Sequence, residues 1–196
     1  MRKTIFTFIA FILIAACINW IRFCKGEKTN EEQFERNLTF ANMYEYIDKD
    51  YLFCVRYPAF FANQSDNNNH RARFVYNGQW ATIVLEGYVI QNDKQSIRSG
   101  MDSLAKELHA TNSKINKDGF ILSGPQYEDE SKMEGYSFYS KFISHRKLWY
   151  VYTMVYPNSY KKALSRLFKE IDNWQIWAQQ KKELRQGESQ TPKARR

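Results

Sequence analysis

Histidine and cysteine each occur only three times in 196 residues, and glycine eight times. Catalysis and transition-metal binding draw on titratable groups gathered in one place, yet His70, His109 and His145 are dispersed, with no metal-ligand spacing between any two. Three cysteines, at 17, 24 and 54, provide no disulfide framework. The chain has no glycine-rich phosphate loop, no Gly-x-Ser-x-Gly elbow and no His-Glu-x-x-His helix. Ser123-Gly124 is half of an elbow, but Pro125 follows where a helix would have to begin. A catalytic site is therefore not expected, nor a cofactor or a metal.

A basic face is missing as well, although the formal net charge is +8. Of 29 basic and 21 acidic residues, residues 1–27 hold four and one and residues 178–196 hold six and two, which leaves 19 and 18 between them. Nucleic-acid binding requires a clustered positive surface that displaces counterions, so a neutral body excludes a nucleic-acid partner. The basic segment 178–196 reads as a solvated tail that could rest on anionic headgroups.

One long apolar run is present, and it stands first. Arg2 and Lys3 precede 18 uncharged residues, 4–21, and Arg22 and Lys25 follow. A positive start before an apolar segment marks an export leader, so the rest of the chain is expected outside the cytoplasm or at the membrane. Ile14-Ala15-Ala16-Cys17 resembles the lipobox of bacterial lipoproteins, which makes Cys17 the candidate acylation site. The run is also long enough to cross a bilayer uncut, with Trp20 and Arg22 placed as interface anchors. Cleavage without acylation is the third reading, poorly served by Ala15 before Cys17. Were Cys17 acylated, Cys24 and Cys54 could pair, though Cys54 reads first as a small apolar core residue.

Behind the leader, residues 25–33 are polar and unpatterned and read as a tether, and residues 34–177 as one α+β domain. The stretch 34–48 fits neither period well and reads as either a lead-in strand or a helical turn. Residues 51–57 are aromatic and β-branched and predict a strand halted at Pro58. Residues 71–76 and 80–90 flank Asn77-Gly78, the strongest short hairpin signal. Over 96–110, Ile97, Met101, Leu104, Ala105 and Leu108 share one face of an amphipathic helix. Residues 119–123 form a short strand ending at Gly124-Pro125, and 133–144 with 147–156 form a second hairpin around His145-Arg146. The later of these strands is apolar on both faces and belongs in mid-sheet. After Pro157, Asn158 or Ser159 could cap a helix reaching Trp174. The order is β-β-β-α-β-β-β-α, a mainly antiparallel sheet of about six strands covered by helices.

Several short motifs recur in a known order: Tyr57-Pro58, Asn68-Asn69-His70-Arg71-Ala72-Arg73-Phe74, Asn77-Gly78, Phe120-Ile121-Leu122-Ser123-Gly124, Gly135-Tyr136-Ser137-Phe138-Tyr139 and Val155-Tyr156-Pro157. Together they resemble the exported bacterial proteins with a PsbP-like sandwich, over residues 50–175. That resemblance implies a binding or assembly module rather than an enzyme. The group often carries Asp-Gly in the polar loop, where this chain has Asn69-His70.

Candidate binding residues follow from the polar loop and from the aromatic content. Asp66, Asn68 and His70 supply oxygen and nitrogen donors, although Asp and Asn also build turns. Trp149 and Tyr152 join apolar area to a polar tip, although a two-sided sheet consumes such residues in its core. The carboxylates of Glu128, Asp129, Glu130 and Glu134 read as a solvated acidic loop. The function expected is a non-enzymatic, membrane-tethered module of the cell envelope that binds an envelope protein or a small ligand. The alternative is an envelope hydrolase assembled from distant residues, with Ser123, His145 and Glu134 as its parts.

Overall fold

A computed structural model describes residues 29–93 and 96–177. The elements run α1 (Asn30–Phe40), β1 (Met43–Asp48), β2 (Phe53–Pro58), β3 (Ala62–Asn63), β4 (Ala72–Asn77), β5 (Thr82–Gln91), α2 (Ile97–Glu107), β6 (Asn112–Asn116), β7 (Gly119–Glu128), β8 (Ser131–His145), β9 (Leu148–Pro157), a 3-10 turn (Asn158–Tyr160) and α3 (Ser165–Asn173). Eight of these follow the expected order, and α1, β1, β3 and β6 are additional. The leader 1–24 and the tail 178–196 lie outside the described residues. Among the described residues no helix is long and apolar enough to cross a membrane.

The doubly apolar strand β9 sits in the middle of a seven-stranded antiparallel sheet ordered β3-β4-β5-β9-β8-β7-β6. Tyr150, Tyr152, Met154 and Tyr156 enter one core with Phe74, Ile83 and Leu85, and this face is covered by α1, the β1–β2 hairpin and α3. Trp149 and Val151 enter a second core with Phe120, Leu122 and Phe142 beneath α2. Glycine sets both approaches. A Cβ on Gly87 would lie 2.7 Å from Val55, and one on Gly100 would lie 2.3 Å from the Trp149 ring, so hairpin and helix both settle closer than alanine permits.

The extra elements explain where periodicity failed. Helix α1 begins inside the segment read as tether because Thr29 and Glu32 form a capping box: the Thr29 hydroxyl accepts the Glu32 amide, and the Glu32 carboxylate accepts the Thr29 amide, both at 3.3 Å. The ambiguous stretch 34–48 holds the rest of this helix and then β1, so one window mixes two periods. Strands β3 and β6 are short sheet edges without a buried face, hence without alternation.

The turns differ from expectation in detail. The β4–β5 hairpin is present, but Asn77 pairs with Thr82 and the Gly78 amide donates to the Ala81 carbonyl, so residues 78–81 make the connection. Neither Asn77 nor Gly78 takes a positive φ. The β8–β9 turn falls one residue later than read, on Arg146 and Lys147 at φ 49° and 61°. Strand β7 continues past Gly124-Pro125 to Glu128, absorbing the proline at a register shift between Pro125 and Tyr127. Asn158 and Ser159 lie in the 3-10 turn, and α3 starts later, at Ser165.

Two stability measurements check this packing by urea unfolding. Gly100→Ala forces a methyl into the Trp149 ring and is expected to destabilise by about 1–3 kcal/mol. Replacing Arg146-Lys147 by Asn-Gly relieves two left-handed residues of the tight turn and is expected to stabilise by about 1 kcal/mol.

Candidate functional site at the tip of the β1–β2 hairpin

Asp48 ends β1 and folds the following turn onto itself. Its Oδ1 accepts the backbone amides of Asp50 at 3.0 Å and Tyr51 at 2.8 Å, and Leu52 completes the reversal at φ 56°. The second oxygen, Oδ2, lies 3.0 Å from Nδ1 of His70, and the Asp48 side chain is only 3% exposed. Asp50 Oδ2 lies 3.7 Å from the same nitrogen, on a side chain that is 79% exposed. The ring of Tyr51 meets the imidazole edge-on at 4.9 Å.

His70 reaches this position from the loop before β4. Asp66 organises that loop, Oδ1 accepting the Asn68 amide at 2.9 Å and Oδ2 accepting the Asn69 side-chain amide at 2.6 Å. Backbone bonds between Asp66 and Arg71 close it, and His70 takes φ 52°. The Tyr46 hydroxyl donates to Asn67 Oδ1 at 3.0 Å and ties the loop to β1. The hydrogen bond from the Asn69 side chain, with the Asn68 amide, holds the Asp66 carboxyl below its ordinary range. Burial, then the charges of Asp48 and Asp66, push the Tyr46 hydroxyl up.

Charge at the tip is uneven. Among the described residues neither Asp48 nor Asp50 has a lysine or arginine in an ion pair. Arg71, next after His70, instead places Nη2 2.6 Å from Oε2 of buried Glu86, which Arg73 also engages. The ligand atoms of Asp48, Asp50 and His70 lie within 4.8 Å of one another, a set of two oxygens and one nitrogen that could hold a metal ion.

The expected binding residues divide. Asp66, Asn68 and His70 share this corner, with Asp66 acting as the turn-former and His70 facing Asp48. Trp149 and Tyr152 do not form a binding surface: they occupy opposite cores at 2% and 1% exposure, and the Tyr152 hydroxyl donates to the Arg56 carbonyl. Sequence reasoning missed Asp48, Asp50, Tyr46 and Tyr51. An Asp followed by Lys49-Asp50 between β-rich runs signals an Asx turn, but nothing in the spacing ties it to a histidine 22 positions on.

The hydrolase parts are not brought together. Glu134 and His145 lie on one strand, β8, roughly 36 Å apart at the usual strand rise. Ser123 pairs with Tyr139, midway between them, roughly 17–20 Å from each. Glu128, Asp129 and Glu130 lie exposed around the β7–β8 turn and Glu134 lies exposed on β8. Cys54 is half-buried with its thiol pushed up by burial, and Cys17 and Cys24 fall outside the described residues.

No family model and no curated protein matches the sequence. Among solved structures the chain resembles the solution structure of cyanobacterial PsbP (CyanoP) from Synechocystis sp. PCC 6803, at 10% identity and a TM-score of 0.49, over 70% of this chain and 94% of that one. The likeness is one of fold alone, a PsbP-like α+β arrangement of antiparallel sheet and covering helices.

The role of Asn69 at this corner can be measured directly. Asn69→Ala removes the side-chain donor from Asp66, and the Asp66 carboxyl is expected to titrate closer to the ordinary aspartate range by carbon-detected NMR. An unchanged titration would show that the loop holds the carboxylate without Asn69.

Proposed function

We propose that this chain is a non-enzymatic binding or assembly module of the cell envelope. In this reading residues 1–24 hold it to a membrane, as a lipoprotein acylated at Cys17 or as an uncut anchor, and the domain works on the extracytoplasmic side. Its partner, an envelope protein or a small ligand, is engaged along the flank made by α1, β1 and the segment after β2.

The observation that carries this reading is the distribution of exposed apolar side chains. Phe40, Tyr44, Ile47 and Phe60 belong to this flank and Leu52 to the β1–β2 turn at its end, while elsewhere among the described residues only Trp80 and Ile115 are large, apolar and exposed. Phe40, Ala41, Ala59, Phe60 and Tyr76 line a hollow of about 650 Å³ with Arg36 and Asn37 at its side. Among the described residues strand β1 pairs only with β2, and none of them covers its outer edge. The antiparallel alternation, set by the bond from the Ala59 amide to the Asn42 carbonyl, turns the main-chain groups of Met43, Glu45 and Ile47 outward, as an added strand requires. The sheet's own last edge, β6, is polar and carries Lys114 and so discourages pairing.

Photo-crosslinking in native membranes tests the proposal. A photoreactive residue at Ile47 or Phe60 is expected to give a discrete adduct, and one at Lys114 none, with the full chain in the membrane fraction and a chain lacking residues 1–24 released from it. A soluble native product, or flank positions that crosslink no more than Lys114 while the purified protein turns over a substrate, would contradict it.

A further inference from the structure

We propose that Asp48, Asp50 and His70 form a binding site for one divalent transition-metal ion of the zinc class, a property separate from the docking flank. Three observations point there. The first is spacing. Donor atoms about 2.0–2.2 Å from a common ion stand roughly 3–4 Å from one another, and here the imidazole nitrogen lies 3.0 Å from one carboxylate oxygen and 3.7 Å from the other, with all three within 4.8 Å.

The second is preorganisation. Asp48 is buried, and two backbone amides fix its Oδ1, so Oδ2 is aimed at the other donors and has no partner outside the cluster among the described residues. That is how outer hydrogen bonds orient a metal-binding carboxylate. His70 is held in its left-handed conformation by the loop that Asp66 organises, while Asp50 is exposed and free to complete the set.

The third is charge. Two carboxylates meet one imidazole with no lysine or arginine paired to either among the described residues, so the corner lacks a cation that a metal would supply. One imidazole with two carboxylates matches zinc and its first-row neighbours better than calcium, which takes six to eight oxygens. Three protein donors leave the solvent side of the ion open to water or to an oxygen of a ligand.

Zinc titration of the purified full-length protein in detergent, after treatment with chelator, tests the site, with cobalt as a spectroscopic substitute. One ion per chain is expected, with cobalt bands of nitrogen and oxygen coordination and no thiolate-to-metal band. Asp50→Asn alters an exposed side chain, and His70→Asn keeps a residue that tolerates positive φ, so both should fold, as circular dichroism and thermal melting will verify. Losing an outer-shell partner already costs about tenfold or more, so each variant is expected to weaken zinc binding at least about tenfold. No uptake by the wild-type chain, uptake unchanged in both variants, a thiolate band, or equal displacement by calcium would each overturn the proposal.

Discussion

Strand β9 can lie only inside a sheet, because no solvent-facing side remains to it. Trp149 and Val151 point into one core and Tyr150, Tyr152 and Met154 into the other, all at most 5% exposed. Truncating one buried aromatic of this kind costs about 3–5 kcal/mol, a large share of the net stability of an ordinary domain. Both layers therefore have to form for either to persist: α2 on one side, and α1, α3 and the β1–β2 hairpin on the other. Tyr152 on β9 also makes a polar contact at its tip. The Tyr152 hydroxyl reaches the Arg56 carbonyl at 2.6 Å, and Trp174, closing α3, donates to the Cys54 carbonyl at 2.6 Å. These two bonds engage the edge of β2 that faces α3, so among the described residues the open edge of the hairpin is the one on β1.

That asymmetry links packing to the proposed function. The hairpin is pinned at β2 by Gly87, which admits Val55, and by the stacked rings of Tyr57 and Phe74 at 3.7 Å. Its far strand is free to present Tyr44 and Ile47, and its tip delivers Asp48 to His70. The proposed docking flank and a polar corner where two carboxylates face one imidazole thus grow from one small sheet laid on a larger one. Arg166 of α3 ties the arrangement to α1 by donating to the carbonyls of Leu38, Thr39 and Ala41, where that helix ends.

The parts of this fold legible in sequence are those where burial writes a period. β9 announced its central place by being apolar on both faces, and α2 by its stripe from Ile97 to Leu108. Strands β1, β3 and β6 were not legible, since edge strands bury little and alternate weakly. The capping box of Thr29 and Glu32 was visible as a motif, yet the polar composition around it read as a tether. Of the candidate site, His70 and Asp66 could be found from the loop's composition. Asp48 could not be joined to them, because the contact depends on how the hairpin crosses the sheet. Trp149 and Tyr152 show the converse error: their amphipathic character suits a surface, but their place on β9 commits them to the cores.

Native-state hydrogen exchange on the folded chain tests the central role of β9 most directly. If two-sided burial of this strand organises both layers, the amides from Tyr150 to Met154 exchange only through global unfolding and are the slowest in the domain, while those of β6 and the outer edge of β1 exchange through local opening. Exchange in β9 as fast as in β6 would contradict it.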